Sequence, residues 1–139
     1  MAILFIGEIM IFIILVILLF LSAFFSSAET CLTTVNKIRM RSLAEDGNKR
    51  AKVVLQITEN SGKLLSAILI GNNIVNLSAS ALITTIAYKL GGSAVAIATA
   101  IITILILLFG EITPKTIASV HAEKLSLLYA YPIQLIMWI

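Results

Sequence analysis

Three stretches of an otherwise apolar chain carry oxygen donors at helical spacing. Ser22, Ser26 and Glu29 stand at i, i+4 and i+7, which is one face of a helix. Asn72, Asn76 and Ser80 stand at i, i+4 and i+8, again one face, with Asn73 beside it. The phrase Gly110-Glu111-Ile112-Thr113-Pro114-Lys115 ends a run of 21 uncharged residues, Leu90 to Gly110, with a carboxylate and then a proline. Proline has no N–H, so in a continuing helix the carbonyl four residues back, at Gly110, loses its hydrogen-bond partner. A free backbone oxygen then stands beside a carboxylate. An ionisable group at such depth in lipid is expensive and is by default a functional-site hypothesis. Interrupted helices are how membrane proteins offer backbone carbonyls to ions.

The donor chemistry is uniform: hydroxyls, amide oxygens, a backbone carbonyl and at least one carboxylate, with no thiolate or imidazole in the three stripes. Hard oxygen ligands suit Mg²⁺, Ca²⁺ or Na⁺ and disfavour zinc and copper. Each element also has a purely structural reading. Ser and Asn in membrane helices bond neighbouring helices together at roughly 1 kcal/mol or less per contact. Glu111 has Lys115 at i+4 as an ion-pair partner on its own helix. Glu29 lies near the end of the first apolar run, where water can solvate it.

These donors must be carried by helices that cross a bilayer. The chain of 139 residues is 60% hydrophobic and 12% charged, with a mean hydropathy of +1.08, well outside the range of soluble domains. Three windows carry no charge: 20 residues between Glu8 and Glu29, 25 between Lys63 and Lys89, and 21 between Lys89 and Glu111. About 20 apolar residues span the ~30 Å hydrocarbon core. The expected architecture is all-α integral membrane. Its transmembrane helices run over about 6–28, 63–88 and 93–116, the last two joined by a tight turn at Gly91-Gly92-Ser93.

From 36 to 60 the chain becomes amphipathic, with Ile38, Leu43, Val53, Val54, Leu55 and Ile57 among basic residues, and Asp46-Gly47-Asn48 as a turn. Two juxtamembrane helices in the cytoplasmic interface are expected there, with Lys and Arg toward lipid headgroups. A last helix, about 120–139, contains 15 uncharged residues and Tyr129, Tyr131 and Trp138. It is short for a crossing and suited to the interface.

Seven basic residues (Lys37, Arg39, Arg41, Lys49, Arg50, Lys52, Lys63) lie between the first two spans, and none precedes the first. The positive-inside rule puts that segment in the cytoplasm and the N-terminus outside. Orientation and anionic lipid account for these charges without nucleic acid. The first span lacks the basic n-region of a cleavable signal, and its apolar stretch is too long for one. Cys31 and His121 are each alone in their type, so no intramolecular disulfide forms, and His121 reads as an ordinary interfacial residue. No catalytic arrangement is visible: no Ser-His-Asp set, HExxH, P-loop or CxxC. The reading is of a protein that is not an enzyme.

Ser22-Ala-Phe-Phe-Ser26-Ser-Ala-Glu29, Gly71-Asn72-Asn73-Ile-Val-Asn76 and Gly110-Glu111-Ile-Thr-Pro114-Lys115 together resemble the DUF21 membrane domain of the CorC and CNNM magnesium transporters. The resemblance covers essentially the whole chain in order. It implies a homodimer of three-span protomers in the bacterial inner membrane, and Mg²⁺ transport as export coupled to an inward Na⁺ gradient. It implies that a dehydrated Mg²⁺ is held by Ser22, Ser26, Asn72 or Asn76, the Gly110 carbonyl and Glu111, with Asn73, Glu29 and Pro114 accessory. Members of the family usually continue into cytoplasmic CBS domains that bind ATP, which this chain does not contain, so it is expected to be a fragment of a longer protein. The rival expectation is a membrane anchor or sensor whose Mg²⁺ binding controls such domains without transport.

Overall fold

The computed structural model describes residues 2–90 and 93–138. Helix α1 (Ala2–Thr34) is the longest. It continues past its apolar window, where Cys31 and Leu32 are buried in the core and the Thr33 and Thr34 hydroxyls donate to the Glu29 and Thr30 carbonyls at 2.7 Å. Two short helices follow, α2 (Lys37–Glu45) and α3 (Lys49–Glu59). Asparagines start both: the Asn36 side chain accepts from the Ile38 and Arg39 amides, and Asn48 accepts from Ala51. Between them Gly47 adopts φ +95°, which a side chain would resist.

Helix α4 (Ser61–Leu90) starts at once. The turn expected at Gly91-Gly92 lies outside the described residues. Helix α5 (Ala94–Ile106) passes into a π-helical segment, Leu107–Ile112, and then into α6 (Thr113–Val120) without leaving helical dihedrals. A break at His121 leads to α7 (Ala122–Trp138). Among the described residues there is no strand. Three helical stretches are long and apolar enough to cross a membrane: Ala2–Thr34, Ser61–Ile86 and Ala100–Val120. Helix α7, with 17 residues, is not one of them.

The core is not at the centre of these spans. It gathers around the C-terminal end of α1, where Phe25, Ala28, Cys31 and Leu32 meet Met40, Val54, Ile57, Leu64, Ile68, Ala118, Ala130 and Ile133. The first half of α1 is bare: Phe5, Phe12 and Phe20 remain 64–71% exposed. In water that would be a liability; a hydrocarbon solvent accepts it. Helix α3 buries Val53, Val54 and Ile57 and packs against both α7 and α2, while Ile38 of α2 stays exposed. The apolar residues of α3 thus face the interior of the domain. Helix α7 is fastened to α1 by the Ser126 hydroxyl on the Cys31 carbonyl (3.1 Å) and by Ser27 donating to the Tyr129 hydroxyl (2.9 Å).

Candidate cation site

The three polar stripes converge. Ser22 Oγ donates to Asn76 Oδ1 at 3.2 Å, and Asn76 Nδ2 donates to Glu111 Oε1 at 3.4 Å. One amide thus links α1 to the π segment. Gly110 closes the third side. A Cβ built on it would stand 3.3 Å from Ser22 Oγ and 3.2 Å from Leu19 Cδ1, so a side chain here would require those neighbours to give by a few tenths of an ångström.

The helices are antiparallel where they meet, since Ser22 touches Asn76 while Phe25, one turn further along α1, covers Gly71. Ser26 on α1 and Asn72 on α4 therefore lie on the same side of the Ser22–Asn76 contact, toward the basic segment. Ser26 is fully buried. Ser26 Oγ and Asn72 Oδ1 are both shut off from solvent with no hydrogen-bond partner. An unsatisfied buried polar atom costs about 1–3 kcal/mol, and native structures keep few of them without a reason. That both such atoms fall on the stripes chosen by spacing fits a group that supplies positive charge to oxygen. Asn73 points elsewhere and is exposed.

The π segment is the feature that spacing did not reveal. The Thr113 amide bonds the Leu108 carbonyl, five residues back instead of four. Pro114 sits at the start of α6 and cannot donate to Gly110 in the α register. The chain meets this by widening the helix through Gly110 and Glu111 instead of breaking it. Such π bulges are rare and occur frequently at functional sites.

Lys115 does not pair with Glu111 four residues away. Its Nζ reaches across to Glu29 Oε2 on α1, 3.9 Å distant, with both side chains partly exposed. Glu111 makes no ion pair among the described residues and keeps only the long bond from Asn76. Ser22, Ser26 and Glu29 thus descend α1 from the amide link to an ion pair at the basic end. Among the described residues no three His, Cys, Asp or Glu side chains come together as a metal cluster. The donors that do come together are hydroxyl, amide, backbone and one carboxylate, the set that suits a hard cation.

The chain is similar to known membrane proteins. Residues 13–139 match the model of the CNNM family, described as the cyclin M transmembrane N-terminal domain. A UPF0053 protein of Haemophilus influenzae is 55% identical over 116 residues, covering 83% of this chain and 28% of the relative. The UPF0053 inner membrane protein YfjD of Escherichia coli is 46% identical over 113 residues, covering 81% of this chain and 26% of that protein. A chloroplastic DUF21 domain-containing protein of Arabidopsis thaliana is 40% identical over 121 residues, covering 86% and 18%. The chain spans about a quarter of the bacterial relatives' length and less of the plant one. With the family model matched almost from end to end and three helices fit to cross a bilayer, this chain belongs to the CNNM family and is a multi-pass membrane domain.

Proposed function

We propose that this domain binds Mg²⁺ among α1, α4 and the π segment and moves it across the bacterial inner membrane, as export coupled to Na⁺ entry. The observation that carries the proposal is the pair of buried, unpartnered oxygens, Ser26 Oγ and Asn72 Oδ1, next to the Ser22–Asn76–Glu111 chain. Ser22, Ser26, Asn72, Asn76, the Gly110 carbonyl and Glu111 are six oxygen-bearing groups, the near-octahedral number that Mg²⁺ demands. Ser22 gives its proton to Asn76, so rotating one hydroxyl frees lone pairs on both for a shared cation. Glu111 supplies the negative charge that offsets the loss of water from the ion. The ion enters from the basic, cytoplasmic side past Glu29 and Lys115, exchanges water for protein oxygen, and leaves outward as the oxygen cluster opens. Assembly as a homodimer in the membrane belongs to the same proposal, resting on the family.

The test is the melting temperature of the detergent-purified chain titrated with Mg²⁺, Ca²⁺ and Na⁺, beside Glu111→Gln. A ligand that binds only the folded state raises stability as RT ln(1 + [L]/Kd). A saturable, Mg²⁺-selective rise in the wild type, absent from a folded Glu111→Gln, is expected. Retained Mg²⁺ affinity in that variant would sink the site.

A second reading, a Mg²⁺ sensor without transport, draws support from the fastening of α7 to the polar turn of α1. Flux in proteoliposomes, run on the full-length protein, separates the two: binding without flux supports the sensor.

A further inference from the structure

Glu111 and Asn76 also border a second space, on the side away from Ser26 and Asn72. A groove of about 190 Å³, open on one side, lies between α4 and the α5–π helix, with Ser80 and Thr103 on its exposed part. Its polar wall is Asn76, Ser80, Thr103 and Glu111, and Ile83 and Leu107 are among the apolar residues that complete it. It runs from the amide link toward the α4–α5 end of the molecule, opposite the basic segment.

Two arguments bear on what fills it. The first concerns depth. Ser80 sits inside an uncharged window of 25 residues, where a hydroxyl facing hydrocarbon is unfavourable and one lining a water-filled space is not; Thr103 adds a second hydroxyl oxygen to the same wall. The second concerns size. At about 30 Å³ per water molecule, the groove has room for roughly six. The neighbouring cluster is tighter, since Ser22 and Glu111 are each hydrogen-bonded to Asn76. One carboxylate therefore faces a tight set of oxygens on one side and an open groove with room for several waters on the other.

From this juxtaposition we infer an outer subsite that takes a hydrated cation, its water shell intact, through Ser80, Thr103 and Glu111. It rests on the proposed inner site in sharing Glu111, and it is where a departing ion recovers water before it leaves.

Cobalt(III) hexaammine tests this directly, because it has the shape of a hexahydrated divalent ion and cannot exchange its ligands. It is excluded from an inner site that demands dehydration and admitted to an outer one. Melting curves of the purified chain are recorded with the hexaammine and, separately, with Mg²⁺. The expected results are a saturable rise with the hexaammine in the wild type and its loss in Glu111→Gln. Ser80→Leu, which fills the groove, weakens hexaammine binding by about tenfold or more while the Mg²⁺ response persists. Thr103→Val, nearly isosteric, weakens the hexaammine in the same direction and covers the case in which Ser80→Leu fails to fold. No hexaammine response in the wild type, or one unchanged by both groove variants, overturns the outer subsite and leaves the inner site standing. A hexaammine response sensitive to Ser80→Leu with no Mg²⁺ response at all keeps the outer subsite and overturns the inner one.

Discussion

Ser26 carries the sharpest residue-scale contrast. Its hydroxyl is buried and unpartnered, so in the metal-free protein it destabilises by about 1–3 kcal/mol. Ser26→Ala removes that penalty at little change in volume. The metal-free variant should melt at the wild-type temperature or above it, while the rise produced by saturating Mg²⁺ shrinks. A serine that merely bonds helices together gives the opposite sign, a lower melting temperature and an unchanged response to the ion. The stripes themselves were legible in the sequence, because a helix fixes which residues share a face, and Ser22, Asn76 and Glu111 do meet. The partner of Lys115 was not. An i+4 neighbour is always near, but Glu29 on α1 is brought within 3.9 Å only by tertiary packing.

At the scale of elements, the π segment and the α1–α4 contact set the geometry. Pro114 announced that the helix could not continue normally; it did not announce whether the answer would be a kink, a break or a bulge. Hydrogen-bond register is decided by the whole helix, and five-residue bonds have no composition of their own. Pro114→Ala supplies an N–H that can bond the Gly110 carbonyl, so Mg²⁺ affinity is expected to fall by about tenfold, or ~1.4 kcal/mol; calorimetric titration checks this, and an unchanged affinity counts against the freed carbonyl. Gly71 tests the other contact. A methyl group there would stand 2.5 Å from the Phe25 ring, which is buried and packed edge-on against Phe24. Gly71→Ala should destabilise the domain by about 1–3 kcal/mol, the usual effect of overpacking, measurable as a lowered melting temperature with or without ion.

The whole molecule is lopsided: its core lies at the basic end and its apolar surface at the other. Composition alone announced three spans, since nothing but lipid tolerates so much exposed Ile, Leu and Phe. It did not announce the packing of α7 on α1 and α3, because its run of Leu, Ala, Tyr and Ile suits an interface and a core equally. Orientation follows from charge placement and is open to measurement. With the buried Cys31 replaced by Ala, a membrane-impermeant thiol reagent should label Glu8→Cys from outside and Lys49→Cys only after the cytoplasmic face is opened. The reverse pattern would invert the direction assigned to both ion sites.

Ser26 and Ser27 are consecutive, one buried without a hydrogen-bond partner in the proposed ion site and the other bonded to Tyr129 of α7. A helix cannot rotate one without the other. Turning α1 about its axis to bring Ser26 onto an ion must break the Ser27–Tyr129 bond or drag α7 along. On the proposed function the two helices form a crank, in which work done at a cation and work done on α7 are interconvertible. Whatever free energy a load on α7 adds to or removes from ion affinity, the ion adds to or removes from the position of α7.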